Sequence, residues 1–253
     1  MGGVFTVVGV SARNRLVRLD ESGGAVRPWN PGADGNLRAL IVSGSTVYVG
    51  GDFLNTGGAA RNRIAALDAE TGVATAWNPN SNNTVLALAG GGGVVYAGGN
   101  FTNIAGVARA NLAAIDGTGA ATAWNPGTNA LVQALALDGR HALRRRVLHH
   151  RGRAARAHLA AIDAALGTVT PWTSAATGKR VHDRRRPGRR TRGGFLTSIG
   201  GQVRNRLAAI VYSTGAVTAW NPNPNNSVST ILADGGAVYV GGTFSSIGGQ
   251  GAT

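Results

Sequence analysis

A tandem repeat of about 48 residues runs through this 253-residue chain and limits what the chain can fold into. Its tryptophans are spaced by 48, 47, 48 and 48 residues: Trp29, Trp77, Trp124, Trp172 and Trp220. Two further residue types keep the period, and these are the arginines Arg13, Arg61, Arg109, Arg156 and Arg204 and the aspartates Asp20, Asp68, Asp116 and Asp163, with Tyr212 in the fifth place. Three anchors that share one period indicate a tandem array.

Each repeat predicts four short β-strands. In the second repeat the apolar runs are 62–67, 73–77, 84–89 and 94–97. Turn residues separate them, because an Asp side chain can accept backbone N–H groups and Gly tolerates a positive φ. Runs of this length between such turns are typical of strands joined by hairpins.

Four antiparallel strands in about 48 residues are typical of one blade of a β-propeller. The runs lack strict apolar/polar alternation, which indicates sheets that are buried on both faces. We therefore predict an all-β fold, a β-propeller of about five four-stranded blades within one repeat domain over residues 1–253. The predicted blades are 13–60, 61–108, 109–155, 156–203 and 204–253, with 1–12 as the remnant of a preceding blade. Five blades can close a ring, and they also suit part of a larger ring.

Two windows interrupt the repeat, at 140–155 and 178–193. Together they hold 14 of the 25 Lys and Arg residues and one acidic residue, whereas the rest of the chain is nearly neutral. The net charge of +14 is therefore a property of these windows and not of the repeat. We expect the altered strands to leave neighbouring sheet edges unpaired, which predicts low stability and aggregation.

Chain length is preserved through the first window, so a shifted reading frame can explain it. Synonymous codons for residues 142–153 exist whose second frame encodes Leu-Tyr-Val-Gly-Gly-Ser-Phe-Thr, the strand that the repeat lacks here. We hypothesise that both windows are out-of-frame translations of ordinary repeats. Resequencing the coding DNA over codons 139–194 tests this hypothesis, and reads that confirm the present frame would reject it.

The chain shows no catalytic pattern. It has no cysteine, and His141, His149, His150 and His182 lie inside the two windows, with only His158 outside them. No pair of carboxylates is singled out by the repeat, as glycoside hydrolysis would require. We predict no catalytic residue, no metal site and no cofactor, and we interpret the recurrent Asp as a turn cap.

The recurrent aromatic residues predict packing more than binding. Each Trp is followed by Asn-Pro or a related turn, and we interpret it as a residue that packs between blades. The Gly-Gly-x-Phe motif likewise predicts a bend with its Phe in the core, at Phe53, Phe101 and Phe244. The polar turns after Trp-Asn-Pro are better binding candidates, with Asn80, Asn82, Asn83, Asn223, Asn225 and Asn226 as predicted ligand-binding residues.

The string Gly-Gly-x-Phe, Arg-Asn-Arg-Leu/Ile-Ala-Ala-Leu/Ile-Asp and Thr-Gly-x-Val/Ala-Thr-Ala-Trp-Asn-Pro resembles the bacterial delta-sixty-type β-propeller repeats. Residues 50–79 and 194–222 carry it most fully. The resemblance implies a secreted or cell-surface protein with a recognition or scaffold role, and it supplies no catalytic residues. The sequence itself shows no apolar run long enough to span a membrane. No basic stretch and apolar core follow Met1, so we expect either that there is no signal peptide or that the true N-terminus is missing.

We therefore predict a non-catalytic propeller that presents loops to a protein or glycan partner. A propeller enzyme acting on polysaccharide is the first alternative. Binding of polyanions or nucleic acid through the two basic windows is the second. The windows lack the interleaved aromatics that stack on bases, so we expect no nucleic-acid partner.

Overall fold

A computed structural model describes residues 2–91, 93–137, 141–145, 159–168, 176–177, 181–186, 189–194, 197–211, 214, 216–234 and 237–251. The chain divides into two compact units. The first unit is Met1–Ala142 with Asp163–Thr168, and the second is Leu143–Ile162 with Val169–Thr253. Every regular element among the described residues is a β-strand, so the chain is all-β. The described residues contain no helix that is long and apolar enough to span a membrane.

The strands are numbered in chain order and fall into two length classes. The longer ones are β3 (Leu37–Ser43), β4 (Thr46–Gly51), β7 (Ile64–Asp68), β8 (Val85–Gly91), β9 (Val94–Gly99), β12 (Leu112–Ile115), β13 (Ala134–Leu137), β14 (His141–Arg145), β15 (Leu159–Asp163), β17 (Val181–Arg186), β18 (Arg189–Gly194), β21 (Leu207–Val211), β22 (Val228–Asp234) and β23 (Ala237–Gly242). The two-residue ones are β1 (Val7–Val8), β2 (Ser11–Ala12), β5 (Asn55–Thr56), β6 (Ala59–Ala60), β10 (Asn103–Ile104), β11 (Val107–Ala108), β16 (Ala176–Thr177), β19 (Ser198–Ile199), β20 (Gln202–Val203), β24 (Ser246–Ile247) and β25 (Gln250–Gly251).

The main sheets share one antiparallel plan. The strand orders are β3-β4-β7 and β8-β9-β12 in the first unit and β17-β18-β21 in the second, where β22-β23 forms a two-stranded sheet. Each of these three three-stranded sheets takes two strands from one predicted repeat and its third strand from the next. In β8-β9-β12, for example, the third strand begins at Leu112, after the predicted boundary at residues 108/109. The predicted blade boundaries thus follow the sequence motif, whereas the hydrogen-bonded sheets straddle them.

Where the structure describes it, the second predicted strand of a repeat contributes little sheet pairing. In residues 73–77 it is reduced to an isolated bridge between Leu67 and Ala74. The Thr75 N–H also donates to the Ala66 carbonyl at 2.9 Å. Equivalent bridges join Ile115 to Ala121 and Ile210 to Val217. We call this second predicted strand, residues 73–77 and its equivalents, the outer arm. In the three repeats compared here, the described residues pair the outer arm with its neighbour at only one or two positions.

The small hairpins were not predicted from the sequence. Strands β5 and β6 are joined by Gly57 and Gly58, whose φ angles are 61° and 77°. Two consecutive residues at positive φ match a type I′ turn, which glycine adopts without steric cost. The same hairpin recurs as β10-β11, β19-β20 and β24-β25.

Successive sheets pack face to face within each unit. Strand β8 lies against both β3 and β13 in the first unit, and β22 lies against β17 and β18 in the second. Glycine allows this close approach, because a Cβ at Gly50 would lie 2.7 Å from Val85 Cγ1 and one at Gly98 would lie 2.6 Å from Val132 Cγ1. Separations this short do not occur between real carbon atoms, so a side chain at either position would push the sheets apart.

The core lies between these sheets. In the first unit Phe53 and Phe101 are fully buried, together with aliphatic residues of the third strands such as Ile64 and Leu112. In the second unit a cluster forms around Leu207, Val228 and Ile231. Phe244 and Trp220 pack against that cluster and are partly buried.

The basic window at 178–193 forms ordinary sheet ladders where it is described. Strand β18 pairs with β17 on one side and with β21 on the other. The expectation that this window leaves a neighbouring edge unpaired is therefore wrong for this sheet, because backbone groups form the ladder whatever the side chains are. Of the window at 140–155, the strand β14 is described, whereas residues 140 and 146–155 lie outside the described residues.

Candidate functional site

The tryptophans tie each repeat to the next. The indole N–H of Trp29 donates to the Asp68 carbonyl at 3.0 Å, that of Trp77 to the Asp116 carbonyl at 2.8 Å, and that of Trp124 to the Asp163 carbonyl at 2.9 Å. All three indoles are buried. A buried indole with a satisfied N–H is a packing element and offers no exposed face for a sugar to stack on. Trp172 lies outside the described residues.

The aspartates cap the turns that the tryptophans reach. The carboxylate of Asp68 accepts the backbone N–H groups of Glu70 at 3.0 Å and Thr71 at 2.7 Å. These bonds hold the pKa of Asp68 below its usual value, with the Thr71 N–H as the largest cause. Asp20, Asp116 and Asp163 accept backbone N–H groups of their own turns in the same way. The described residues contain no group of three or more His, Cys, Asp or Glu that could hold a metal ion.

The arginine ladder binds backbone carbonyls rather than carboxylates. One nitrogen of Arg61 donates to the adjacent Ala60 carbonyl at 2.7 Å and another to the Thr75 carbonyl at 2.7 Å. Arg13, Arg109 and Arg204 repeat both bonds. Each clamp fastens the start of a repeat to its outer arm, so these arginines serve the fold.

A second recurrent arginine lies beside a surface depression. Arg63 has a φ of 65°, and its guanidinium donates to the Ser81 carbonyl at 3.1 Å. Arg15 and Arg206 share both features, with φ angles of 66° and 62°. The strained backbone recurs at the same place in each of these repeats, which indicates that the bond to the following turn holds it there.

A polar depression lies beside Arg63, between the Asn-Pro turn and the β10-β11 hairpin. Its volume is about 540 Å³. Five amide side chains line it: Asn62, Asn78, Asn80, Asn82 and Asn103. Pro79, Ala105, Gly106 and Gly119 complete its wall. We call it the second depression, since an equivalent precedes it by one repeat.

The first depression, of about 310 Å³, repeats this geometry one period earlier. Its lining residues Asn14, Pro31, Gly32, Asp34 and Asn55 each precede a lining residue of the second depression by 48 positions. The main chemical difference is a carboxylate at Asp34 where the second depression has the neutral amide of Asn82. Both depressions belong to the first unit.

Two of the predicted binding asparagines are structural clamps. The side-chain oxygen of Asn82 accepts the N–H groups of Thr102 and Asn103, both at 3.0 Å, and its amide nitrogen donates to the Thr102 hydroxyl at 2.7 Å. Asn225 makes the matching bonds to Ser245 and Ser246. Each clamp holds the strand that begins the next small hairpin, so its polar atoms are largely used within the fold.

The other four predicted asparagines are engaged locally. Asn83 and Asn226 each accept the N–H of the following residue at 2.8 Å. Asn80 accepts the Asn62 N–H at 3.3 Å, and Asn223 accepts from the Asn205 amide at 2.8 Å. Asn80 and Asn223 have φ angles of 45° and 48°, a conformation that Asn tolerates better than most residues.

Three amides of the second depression were missed by sequence reasoning. The side chains of Asn62, Asn78 and Asn103 make no hydrogen bond to another described residue, and the first two residues are exposed. They are scattered over 42 positions in sequence, and only the Asn-Pro turn and the small hairpin bring them together. The repeated Asn of Arg-Asn-Arg was the one signal that pointed to Asn62.

Carboxylates near the depressions remain ionised at neutral pH. Burial raises the pKa of Asp34, but hydrogen bonds from Asn55 and Leu54 outweigh burial and leave it below the usual value. Burial likewise raises the pKa of Asp52, and the Thr84 hydroxyl together with the Arg38 guanidinium reverses that effect. The first depression is therefore anionic at one corner, whereas the second has only the Arg63 charge.

No protein-family model and no curated protein matches this sequence. Among solved structures, the computationally designed Ika8 protein is similar at a TM-score of 0.53 and 16% identity, over 87% of this chain and 74% of that one. The computationally designed Ika4 protein matches at 0.46 and 16%, over 71% and 93%. The WD40 beta propeller domain of Doa1 matches at 0.40 and 11%, over 83% and 90%. The likeness to Ika8 concerns the fold alone.

Proposed function

We propose that this chain is a non-catalytic β-propeller scaffold that binds a neutral glycan or a protein surface through its polar depressions. The finer architecture in this proposal is five four-stranded blades. Its support is the shared sheet plan, the stacking of successive sheets within each unit and the constant repeat period. Propellers commonly use the loops at one end of their blades for binding.

One observation carries the binding role: the same polar depression occurs twice at a spacing of one repeat. Amide side chains both donate and accept hydrogen bonds, so a cluster of them suits hydroxyl groups or peptide groups. No aromatic residue lines either depression, so each contact is weak. Two equivalent sites on one scaffold raise the affinity for a repetitive ligand through effective concentration.

The resemblance to delta-sixty-type repeats supports a secreted or cell-surface placement for this scaffold. A scaffold role also agrees with the use of the recurrent Trp, Asp and Arg residues in bonds within the fold. A bound cofactor has no part in the proposal.

The direct test measures binding of the chain to immobilised neutral polysaccharides. Substitution of Asn62, Asn78 and Asn103 by Ala should reduce the binding response at least about fivefold, because it removes three amides that line the depression without breaking a bond within the fold. Asn100→Ala is the matched control, since Asn100 is exposed and lies outside both depressions. Equal loss in the control, or no loss in the triple variant, would reject the site.

The same preparation separates the alternatives. Release of reducing ends from a polysaccharide would make the chain an enzyme and contradict the scaffold proposal. Binding to heparin or nucleic acid that falls steeply with salt, and that survives the triple substitution, would instead place the activity in the basic windows.

A further inference from the structure

The two depressions share a wall. The first is lined by Ala59 and Ala60 of β6, and the second is lined by Asn62 and Arg63. Arg61 alone separates these pairs in the chain, so the Cα atoms of Ala60 and Asn62 lie within about 7 Å of each other. The guanidinium of Arg61 is held by two backbone carbonyls, which fixes the wall. One linear ligand can therefore contact both depressions.

The first depression carries a carboxylate with no cationic partner. Asp34 is exposed, and no described cation forms an ion pair with it. Its Oδ1 accepts the backbone N–H groups of Leu54 at 2.8 Å and Asn55 at 3.0 Å, and its Oδ2 accepts the Asn55 side-chain amide at 2.7 Å. A carboxylate has about four acceptor sites, so Oδ2 retains one for a further donor.

The second depression has a neutral amide at the same position. Asn82 makes the equivalent clamp, since its side-chain oxygen accepts the backbone N–H groups of Thr102 and Asn103. The guanidinium beside it, that of Arg63, donates to the Ser81 carbonyl and forms no ion pair with a described residue. The two depressions therefore share a plan of lining residues but carry opposite charges.

We infer that the two depressions are adjoining subsites for one linear glycan of amino sugars, and that the subsite at Asp34 selects a unit whose amino group is free and protonated. This inference rests on the proposed glycan-binding function and names the class of glycan. The ammonium group donates to Asp34 Oδ2, and the hydroxyl groups of that unit meet the amides of Asn14 and Asn55. The second subsite takes an acetylated, neutral unit, because the charge of Arg63 disfavours an ammonium group there.

An ammonium group fits the Asp34 corner better than a metal ion does. Ca²⁺ needs six to eight oxygen ligands, whereas about three of the four acceptor sites of this carboxylate are already used within the fold. Long-range attraction would not produce a preference for a cationic glycan either, since the chain carries a net charge of +14. A preference for the free amine therefore reports a local contact.

Two hexasaccharides that differ by one acetyl group test the inference on the whole chain. One is the hexamer of N-acetylglucosamine, and the other is the same hexamer with one unit de-acetylated. Isothermal titration calorimetry at about pH 6, where a free amine is protonated, gives the ratio of their affinities. The de-acetylated hexamer should bind about three- to tenfold more tightly, because it gains a charge-assisted bond to an exposed carboxylate.

Asp34→Asn should bring this ratio close to one. The substitution gives the first depression the residue that the second already has, and Asn82 shows that an amide keeps the backbone clamp. Glu21→Gln is the matched control, since Glu21 is exposed, belongs to the same unit and lies outside both depressions. The control should keep the ratio of the unsubstituted chain.

A second measurement needs no substitution near Asp34. Raising NaCl from about 50 to 500 mM should bring the ratio of the unsubstituted chain towards one, because salt screens the attraction between ammonium and carboxylate. The triple Ala variant at Asn62, Asn78 and Asn103 should weaken both hexamers by a similar factor, because one glycan occupies both subsites.

Four results would overturn the inference: a ratio near one in the unsubstituted chain, a ratio that survives Asp34→Asn, an equal loss in Glu21→Gln, or a triple variant that leaves the de-acetylated hexamer unaffected. A chain that binds other neutral polysaccharides but neither hexamer would overturn the inference alone. A chain that binds no glycan at all would reject the proposed glycan-binding function together with it.

Discussion

The sheets β8-β9-β12 and β17-β18-β21 share their strand order and the register between their second and third strands, but the sequences of their first two strands differ completely. Leu112 pairs with Gly98 in the first sheet, and Leu207 pairs with Gly193 in the second, each offset by 95 residues from its counterpart. Strands β8 and β9 are uncharged, whereas β17 and β18 hold six arginines, one histidine and one aspartate. The ladder is therefore the same on two very different sequences.

The comparison indicates where the register is encoded. The third strands are nearly identical, since both begin Leu-Ala-Ala-Ile and are buried along those four residues. A Gly-Gly pair ends the second strand in both sheets. A buried third strand and its flanking glycines can fix the pairing, because a shift by one residue would turn the apolar set outwards. The arginines then have a cost in the free energy of unfolding, which they lower, but they leave the strand order and the strand pairing unchanged.

The largest expected effect comes from removing that cost. Replacing residues 181–194 with the sequence of residues 86–99 should raise the melting temperature by roughly 10 °C or more, since six arginines and one aspartate give way to uncharged residues in a paired sheet. Calorimetry on both chains measures the shift. An unchanged melting temperature would mean that the arginine strands do not weaken the fold.

Leu→Ala substitutions at matched positions test whether the two third strands contribute equally to the stability of their sheets. Leu112 and Leu207 are 1% and 0% exposed, so each Leu→Ala change should destabilise its sheet by about 2–5 kcal/mol. Hydrogen exchange of the backbone amides in each sheet reports the two effects separately. A cost below about 1 kcal/mol at Leu207 alone would show that the arginine-bearing sheet is loosely packed.

Salt should reduce the difference in stability between the two sheets. Raising NaCl from about 50 to 500 mM shortens the screening length and should increase amide protection in β17 and β18 by up to about 1 kcal/mol, because like charges repel less. Protection in β8 and β9 should change little, and these strands serve as the internal reference. A fall of protection in β17 and β18 at high salt would contradict the repulsion.

Acid should destabilise the sheet β8-β9-β12 more than the arginine-bearing sheet β17-β18-β21. The pKa of Asp116, in the turn after β12, lies below its usual value because of bonds from the Thr118 hydroxyl and N–H. A lowered pKa in the fold contributes stability above the unfolded pKa of about 4, and this is lost as pH falls through the folded pKa. The sequence after β21 has Tyr212 at the aspartate position, so no carboxylate is available there for this contribution.

Amide exchange in β12 and β21 between about pH 5 and pH 2.5 measures the difference. Protection in β12 should fall with acid, and Asp116→Asn should flatten the fall. A decline in β21 of the same size would show that the aspartate turn is not its source.

The sequence predicted the all-β class and the recurrent strands because period and turn residues are local signals. It did not reveal that the sheets straddle the motif boundaries, since the Arg-Asn-Arg motif marks a clamp between a strand and its outer arm rather than the edge of a sheet. It also missed the small hairpins, because four residues of pairing leave almost no pattern in composition.

The candidate site was predicted only in outline. The Asn-rich turn 78–83 lines the second depression, but Asn82 and Asn225 use their amides to hold the next hairpin. The amides of Asn62 and Asn103 come from other segments, and only the fold brings them beside Asn78 and Asn80. Spatial neighbours of this kind carry no signal within a single repeat.

The bond from each Trp indole to an Asp carbonyl spans 39 residues in all three observed cases. A constant span means that donor and acceptor always reside in consecutive copies of the repeat unit. Duplication or deletion of one whole copy in the gene therefore preserves every such bond, whereas gain or loss of a fraction of a copy breaks one. Copy number in this kind of array can change over generations by recombination between near-identical segments without a new junction having to be evolved.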